Sequence, residues 1–455
     1  MSDNNTDDRA SKTRALLWLA VLCLLLRVAF WFIYAPIVFP DSPGYESLAL
    51  QLRTLSFEGY NGARSPGYPL LLLVAGGNHR VVWLIQSLMG IGLSLMLFEL
   101  AFSRTKSIRA SFLIGLSYAL AMNLLFFEAS LLSESLSTFL VVLAVWLTVQ
   151  VQRTGPKKRI LYYLFLGVVL GLAALTRPLL VFMVPLYVFY FLYRWSRAGT
   201  PVSRRLGYLL GMVIPAAVMI VGWSLFNEAT VSYFGITTST GYNLTQHSGG
   251  FIELAPEKYA TLKEIYLRHR EEKVAESGWQ TMTIWRAYPE MLRATGLSYP
   301  ELSQELTRMS VGLFLAHPGL YAESVARAWV SFWRAPIYWL PDRLHPAAIG
   351  RVLEFLWFVE RLLLVGINFL FLVISAVTMY ALIVHRRVAH AFDLFVISIV
   401  LCASLFQALV EYGENGRYAL PFQPLVMLIV FLWFWGRLGS LRRISTSGVS
   451  VANDS

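Results

Sequence analysis

Two acidic side chains lie where apolar runs of this sequence end, and either could take a proton from a hydroxyl group. Asp41 follows the first long apolar run, in "FPDSPGYESLALQL", and Glu134 lies in "LSESLSTFL", close after Glu128. Two carboxylates in a site that excludes water are a common way to build a general base or a metal site. The alternatives are an ordinary helix cap at Asp41 and a polar turn around Glu134, in which Ser133 caps the next helix.

Three arginines near the ends of apolar runs could bind a phosphate group. They are Arg64 in "ARSPGYPLLL", Arg177 in "ALTRPLL" and Arg417 in "ENGRYALPFQP". A guanidinium at membrane depth is unfavourable unless it is paired, and its donors fit phosphate oxygens. The pattern therefore indicates a phospholipid-like ligand that enters from the bilayer. For Arg177 and Arg417 the alternatives are contact with lipid headgroups and an internal salt bridge with Glu411 or Glu414.

The composition excludes an ordinary soluble protein. Of 455 residues, 56% are hydrophobic and 14% are charged, whereas soluble domains have about 25% charged residues. The mean hydropathy is +0.57. Cys23 and Cys402 lie in separate apolar runs, where a lone thiol is usually a small hydrophobic side chain rather than a disulfide or metal partner.

The apolar runs predict an all-α polytopic membrane protein. A hydrocarbon core of about 30 Å needs about 20 apolar residues, and about ten runs qualify, two of them short: 15–39, 81–102, 110–127, 135–151, 160–175, 179–192, 206–226, 362–384, 392–410 and 418–435. Arg177-Pro178 separates the fifth and sixth runs. Because proline cannot continue the helical hydrogen-bond ladder, we expect two helices with a tight turn there. Arg27 and Glu99 lie inside spans, and the pattern assigns them no role.

Positive charge predicts the orientation. Lysines and arginines cluster before the first span and after the second, fourth, sixth, eighth (Arg386 and Arg387) and last. With an even number of spans all these clusters lie on one side, so both termini are expected in the cytoplasm. The net charge of +11 is then mostly a matter of topology, and we do not expect nucleic-acid binding.

The same pattern divides the chain into five segments. They are a cytoplasmic tail (1–14), a transmembrane core (15–226) whose first outer loop is 40–80, an extracytoplasmic loop (227–350), C-terminal transmembrane helices (351–436) and a second cytoplasmic tail (437–455). Leu48, Leu52 and Leu55 recur at helical spacing, and Pro66 opens another short apolar segment, so the first outer loop should hold two interfacial helices. In the larger loop, Pro300 and Pro318 should each open a helix. The second of these could lie on the membrane surface or pack on its own protein.

Sidedness favours a lipid-linked sugar as substrate. Nucleotide sugars are expected on the cytoplasmic side, so a transferase working outside must use a group that has already crossed the membrane. A monosaccharide on a polyprenyl phosphate meets this need. In an inverting transfer a carboxylate deprotonates the acceptor hydroxyl, which attacks the anomeric carbon, and arginines or a divalent cation stabilise the departing phosphate. A GxxxxGK[ST] loop does not occur, so we expect no nucleotide cofactor.

The sequence resembles the GT-C membrane glycosyltransferases, in the branch that is similar to protein O-mannosyltransferases and the lipid A aminoarabinose transferase (families 39 and 83). The resemblance rests on "PDSPGYESLALQL", "RSPGYPLLL", "LSESLSTFL", "ALTRP", "TTSTGYNLTQHSGG" and "ENGRYALPFQPL", taken in this order along the chain. It implies a bacterial inner-membrane enzyme whose active site faces outward. Its partners would be a polyprenyl-phosphate sugar, such as one on undecaprenyl phosphate, and an acceptor that is a glycan, lipid or protein.

Carried over by position, the resemblance implies roles for individual residues. Asp41 matches the catalytic acidic residue of the first outer loop, and Glu134 matches the acidic position before the fourth span. We expect the donor and its phosphate to be bound by Arg64, Tyr45, Tyr68, Arg177, Arg417, Asn243 and His247. Ser42 stands where many relatives have a second acidic residue, so a divalent metal is left open.

Two other functions are compatible with the pattern. A flippase or transporter of a lipid-linked saccharide would line its path with polar residues near mid-bilayer, whereas the candidate residues here gather at one face. A glycan ligase or polymerase would move a whole glycan, and such enzymes have outer loops richer in Arg and His. The sugar, the acceptor and the oligomeric state are not determined by the sequence.

Overall fold

The structure is a computed structural model of the chain. It describes residues 3–335, 339–340, 343–346, 348–385 and 390–450. The cationic pair Arg386 and Arg387, used above for orientation, and the last five residues of the predicted cytoplasmic tail lie outside this part.

The described chain is helical. In chain order the helices are α1 (Asp3–Ile33), α2 (Ser42–Thr54), α3 (Gly67–Val74), α4 (His79–Thr105), α5 (Ile108–Ala119), α6 (Met122–Glu128), α7 (Glu134–Arg153), α8 (Pro156–Thr176), α9 (Met183–Arg197), α10 (Val202–Val231), α11 (Thr240–Ser248), α12 (Ala260–Ser277), α13 (Ile284–Thr295), α14 (Tyr299–Ala316), α15 (Pro318–Phe332), α16 (Ala348–Ile383), α17 (Ala391–Val410), α18 (Asn415–Tyr418) and α19 (Gln423–Ser450). Within these ranges β-type pairing is limited to one isolated bridge, between Ile37 and Ser130.

The prediction of an all-α membrane protein with about ten spans is confirmed. In the part of the chain that the structure describes, nine helices are long and apolar enough to cross a membrane. The third predicted span, 110–127, is not a straight helix: α5 and α6 meet at an angle of 55°. If this bent pair counts as one span, the total is ten. After the break, α6 packs against α7, whose first residue is Glu134.

The helix break at Arg177-Pro178 is confirmed. Helix α8 ends at Thr176, Arg177 is extended (φ −139°, ψ 111°), and a 3-10 turn over Pro178–Phe182 leads into α9. The residue before a proline is disfavoured in the helical region, so the sequence itself requires this extended residue. Since Arg177 has left the helix, its side chain reaches sideways from the end of α8.

The two short helices of the first outer loop are also present, as α2 and α3. Gly67 begins α3 and lies directly against the end of α8, because a Cβ atom at this position would come within 2.6 Å of the Thr176 amide nitrogen. Only glycine fits so close to another backbone. The contact fixes the first outer loop beside Arg177.

Helices α11 to α15 form an outer layer with its own apolar core, which includes Tyr242, Ile284, Leu302 and Leu306. The predicted helix starts are confirmed: Pro300 lies in the first turn of α14 and Pro318 in that of α15. Of the two alternatives for α15, packing on its own protein is observed.

One face of α15 is held against α17. The Phe332 side chain is buried there. The Trp329 indole donates to Ser404 Oγ at 3.1 Å, and the Tyr321 hydroxyl donates to the carbonyl oxygen of Leu409 at 2.7 Å. The outer layer is therefore anchored on a membrane helix.

Arg27 and Glu99, which the sequence pattern left unassigned, both form ion pairs. Arg27 on α1 joins Glu128 at the end of α6 through two hydrogen bonds of 2.5 and 2.9 Å, and both side chains are about 5% exposed. Glu99 pairs with Lys12 at 2.5 Å. Gly90 on α4 makes room for the first pair, because a Cβ atom there would lie 1.9 Å from Glu128 Oε1. Glu128 is thus part of a buried pair that joins helices.

We expect Gly90→Ala to destabilise the fold, because the added methyl group overlaps a buried, charged pair that cannot move into water. Overpacking of this kind costs about 1–3 kcal/mol. Thermal unfolding of the purified protein in detergent should show a lower midpoint. The matched control is Gly222→Ala in α10, where no described atom beyond the helix's own neighbouring backbone lies within 4 Å of the added Cβ. A wild-type midpoint for Gly90→Ala would contradict the tight packing described here.

Candidate active site

Backbone pairing brings the first outer loop to the turn before α7. The Leu131 amide donates to the carbonyl oxygen of Ile37 at 2.9 Å, and the Ser42 hydroxyl donates to the carbonyl oxygen of Leu131 at 2.8 Å. Asp41 and Glu134 are 93 positions apart in sequence, yet these bonds hold their two segments side by side.

Asp41 stands at the start of α2 but does not cap it, since its side chain accepts no bond from the helix amides. Instead, Oδ1 contacts Arg64 Nη2 at 2.8 Å, and Oδ2 contacts Arg417 Nη2 at 2.8 Å. The alternative of an ordinary cap at this position is therefore wrong. Both oxygens of the carboxylate are held by guanidinium groups.

Glu134 is the buried counterpart of Asp41. Its side chain has no solvent exposure, and Oε1 contacts Arg177 Nη2 at 2.6 Å and also Arg417 Nε. The guanidinium group of Arg417 consequently lies between the two carboxylates that the sequence singled out. The second oxygen, Oε2, has no hydrogen-bond partner among the described residues.

A third carboxylate and one aromatic ring complete the arrangement. Glu414 Oε2 lies 2.7 Å from Arg417 Nη1, so the alternative of an internal salt bridge with Glu414 is observed. The Tyr418 ring lies 4.8 Å from the Arg177 guanidinium carbon and 5.8 Å from that of Arg417. An aromatic face stabilises a cation at such distances. Tyr418 was not among the residues predicted from the sequence, although its position next to Arg417 was a signal.

We call this set the ion-pair cluster; its members are Asp41, Arg64, Glu134, Arg177, Glu414 and Arg417. It contains three cations and three anions. Exposure increases outward, from 0% for Glu134 and 7% for Arg417 to 29% for Asp41 and 32% for Arg64. Glu414 is 30% exposed, so Asp41, Glu414 and Arg64 form the rim at which a ligand can reach the cluster.

Charge determines the protonation of Asp41. Burial alone would raise the pKa of its carboxyl group, but Arg64 and Arg417 outweigh burial and lower this pKa to about 2. An opposite charge in contact with a carboxylate has this effect. Asp41 is thus ionised at neutral pH, and in this arrangement it has little affinity for a proton.

Tyr45 and Tyr68 line the base of the rim. The Arg64 guanidinium lies 4.7 Å from the centre of the Tyr45 ring, and the Tyr45 hydroxyl donates to Ser133 Oγ at 3.4 Å. Tyr68 packs edge-on against Tyr45, with ring centres 5.0 Å apart. The Tyr68 hydroxyl has no partner within the described ranges, and burial raises its pKa well above the usual value.

His247 and Asn243 make none of the cluster's contacts. His247 is buried, its Nδ1 lies 2.8 Å from Ser324 Oγ, and its ring stacks with that of Tyr412. Burial lowers the pKa of His247 to about 4, so the ring is neutral at physiological pH. Asn243 is half-buried on α11. A role of either residue in donor binding stays a prediction.

A polar contact that was not predicted from the sequence links the outer layer to the segment between α17 and α19, which carries Glu414 and Arg417. Gln246 on α11 donates from Nε2 to Glu411 Oε1 at 3.1 Å, and Gln407 donates to the other oxygen at 3.1 Å. Burial raises the pKa of Glu411 to about 7. The Gln246 amide makes this reach only because Gly413 has no side chain: a Cβ atom there would lie 2.4 Å from Gln246 Oε1.

The described residues do not form a divalent-metal site in this arrangement. No group of three or more His, Cys, Asp and Glu side chains in that part of the chain is placed to hold an ion. Arg417 occupies the space between Asp41 and Glu134, and its positive charge already compensates both. A metal ion at this point would have to displace a guanidinium group.

Comparison with known proteins supports the resemblance found in the motifs. Residues 68–223 match the family model described as dolichyl-phosphate-mannose-protein mannosyltransferase. No curated protein matches the chain. Among solved structures the chain is similar to the archaeal oligosaccharyltransferase AglB from Archaeoglobus fulgidus, in complex with an inhibitory peptide and a dolichol-phosphate. The TM-score is 0.50 at 13% identity.

The chain has the GT-C fold. The likeness to AglB covers 96% of this chain and 52% of AglB, so the chain spans about half the length of that relative. The family-model match covers the segment that carries Glu134 and Arg177. Asp41, Arg64 and Arg417 lie outside the matched segment, and the evidence for them is their convergence in space.

We expect Glu134→Ala to be far more destabilising than Asp41→Ala. Loss of Glu134 leaves Arg177, which is 12% exposed, without its ion pair among the described residues, and an uncompensated buried charge costs about 3–5 kcal/mol. Loss of Asp41 leaves Arg64 without its ion pair, but Arg64 is 32% exposed and water can solvate it. Unfolding midpoints of both variants in the same detergent test this. Equal midpoints would show that Glu134 is not the internal anchor of the cluster.

Proposed function

We propose that this GT-C protein transfers a monosaccharide from a polyprenyl-phosphate donor to an acceptor on the extracytoplasmic side, with inversion at the anomeric carbon. One observation supports this above all: Arg417 joins Asp41 and Glu134 in a cluster whose outer members are partly exposed. Asp41, the potential base, is thus in direct contact with Arg64 and Arg417, the potential phosphate ligands.

The donor phosphate would bind at the arginines of the ion-pair cluster, with Arg64 at the rim. Guanidinium groups bind phosphate oxygens through charge-assisted pairs of hydrogen bonds, and Arg64 is the most exposed of the three. That AglB was solved with a dolichol-phosphate supports a lipid phosphate as the ligand class. The polyprenyl tail would remain in the bilayer while the sugar reaches Asp41.

In the proposed reaction Asp41 is the general base. Its carboxylate takes the proton of the acceptor hydroxyl as that oxygen attacks the anomeric carbon from the face opposite the phosphate. The bond between the anomeric carbon and the phosphate oxygen breaks, and its electron pair stays on that oxygen. The arginines stabilise the charge that develops on the leaving phosphate.

Glu134 has a positioning role in this proposal. Its Oε1 already contacts Arg177 and Arg417, and the side chain has no exposure. A group so enclosed has no path to an acceptor hydroxyl. We therefore retain Asp41 alone as the catalytic residue and assign Glu134 to holding the two arginines in place.

The acceptor would approach between the rim and the outer layer. The Ser239 hydroxyl, just before α11, donates to the carbonyl oxygen of Ala63 at 3.3 Å and lies 3.3 Å from the Tyr299 hydroxyl. These contacts place α14 next to the segment that carries Arg64. An extracytoplasmic site in a bacterial inner membrane, with both termini in the cytoplasm, completes the proposal.

We expect Asp41→Asn to insert and fold normally but to lose turnover by a factor of about 10²–10⁴, the usual contribution of a general base. Arg177→Gln should chiefly raise KM for the donor. The assay supplies purified protein with a panel of polyprenyl-phosphate sugars and a mixture of acceptors and follows release of free polyprenyl phosphate.

The matched control for this assay is Arg104→Gln, because Arg104 pairs with Asp393 outside the cluster. Wild-type turnover by Asp41→Asn would disprove the assigned base. Movement of an intact lipid-linked sugar across proteoliposomes, with no bond broken, would favour the transporter alternative instead.

We further expect turnover to be independent of divalent metal, because Arg417 supplies the positive charge between Asp41 and Glu134. Activity after treatment with a chelator should stay within about twofold of that in added Mg²⁺ or Mn²⁺, well below the tenfold that corresponds to 1.4 kcal/mol. A loss of turnover that Mg²⁺ restores would show that a metal displaces the guanidinium group during the reaction.

A further inference from the structure

Both carboxylate oxygens of Asp41 form ion pairs in this structure. Arg64 and Arg417 each contact one of them at 2.8 Å. A general base works best when its pKa lies near the operating pH, and these contacts hold the pKa of Asp41 far below that range. The arrangement therefore stabilises the cluster but suppresses the proposed base, so at least one contact must be released before transfer.

The two arginines differ in how firmly they are held. Arg417 also contacts Glu134 and Glu414, and its side chain is 7% exposed. Arg64 is 32% exposed, and within the described ranges its ion pair is with Asp41 alone. Its guanidinium plane rests on the Tyr45 ring, which can support it while its hydrogen-bond donors change partner. Arg64 is thus the arginine that can release Asp41 and bind another anion.

The donor carries a group that competes for Arg64. A sugar linked to a polyprenyl through phosphate is a phosphodiester with one negative charge, and its oxygens accept the same bidentate bonds as a carboxylate. The cluster has equal numbers of cations and anions, so an added phosphate anion finds no unpaired cation among the six members. A bound phosphate therefore competes with a carboxylate for a guanidinium group.

We propose that the donor phosphate takes Arg64 from Asp41, so that the base is uncovered only after the donor has bound. This inference rests on the proposed function and deepens it, because it makes donor binding the obligatory first step. The acceptor hydroxyl then meets a carboxylate that retains Arg417 alone. Without donor, Asp41 stays paired, and a water molecule or an acceptor that reaches the rim is not deprotonated.

Other charged groups near Asp41 determine how far its pKa rises when Arg64 leaves. Arg417 remains in contact, and behind it lie Glu134 and Glu414; the Tyr45 and Tyr418 rings flank the two arginines. Removal of one of two neighbouring cations moves the pKa of Asp41 upward, towards the ordinary value of about 3.9. After transfer the proton leaves Asp41 to water, the lipid phosphate departs, and Arg64 returns.

Carbon NMR of the carboxyl groups tests directly whether Arg64 leaves Asp41 when a phosphate binds. The chain has seven aspartates, so labelling their carboxyl carbons gives a short spectrum in which Asp41→Asn assigns the signal of interest. The probe is farnesyl phosphate, a short isoprenoid monophosphate, whose binding to the same sample is measured by calorimetry. Titration from pH 7 to pH 4 should leave the Asp41 signal unchanged in the free protein.

With saturating probe, the Asp41 signal should begin to shift before pH 4 is reached. The reason is that a carboxyl group with a pKa near 3.9 is about half protonated at pH 4. Asp393, which Arg104 holds through bonds of 2.7 and 3.1 Å outside the cluster, serves as the internal control, and its signal should be the same with and without the probe. Arg64→Gln should show the shifted titration without probe, and the probe should add little to it.

The outcomes separate the two proposals. Binding of farnesyl phosphate with no change at Asp41 overturns the exchange and leaves the proposed transferase intact. Absence of binding overturns the proposed donor site, and the exchange falls with it. A shift at Asp41 in a protein that transfers no sugar from any donor supports the exchange as a binding event and contradicts the transferase.

Discussion

The shared guanidinium group of Arg417 is the interaction on which the site depends. It contacts Asp41 from the first outer loop, Glu134 at the start of α7 and Glu414 in its own loop. A buried charge is tolerated only when its partners are in place, so these segments must meet for the fold to be stable. The requirement that stabilises the fold is the same one that assembles the candidate site.

The rest of the fold provides the positions that this contact needs. The bridge at Ile37 and Ser130 aligns the first outer loop with the turn before α7. The extended residue before Pro178 releases Arg177 from α8, and Gly67 lets α3 lie against the end of that helix. Each is a local backbone feature, and together they bring six charged side chains to one end of the membrane helices.

The outer layer contributes by holding the segment between α17 and α19, which carries Arg417 on α18. Gln246 on α11 donates to Glu411, and Tyr321 on α15 donates to the backbone at Leu409. The end of α17, just before Glu414 and Arg417, is therefore fixed relative to α11 and α15. A polar group buried with its partners adds rigidity, and one left unpaired is destabilising.

The amino-acid sequence by itself determined the membrane class, the approximate spans, the break at Pro178 and the identity of the charged candidates. Hydrophobic runs and proline act locally, so their effects can be recognised without a fold. It could not decide which carboxylate would be exposed, that α5 and α6 would bend, or that Arg27 and Glu128 would form a structural pair. The sequence also left open whether Arg177 and Arg417 have internal carboxylate partners. Only the tertiary structure decided these points, because burial and ion pairing depend on segments far apart in the chain, and the strength of each charge interaction depends on its distance and on the surrounding dielectric.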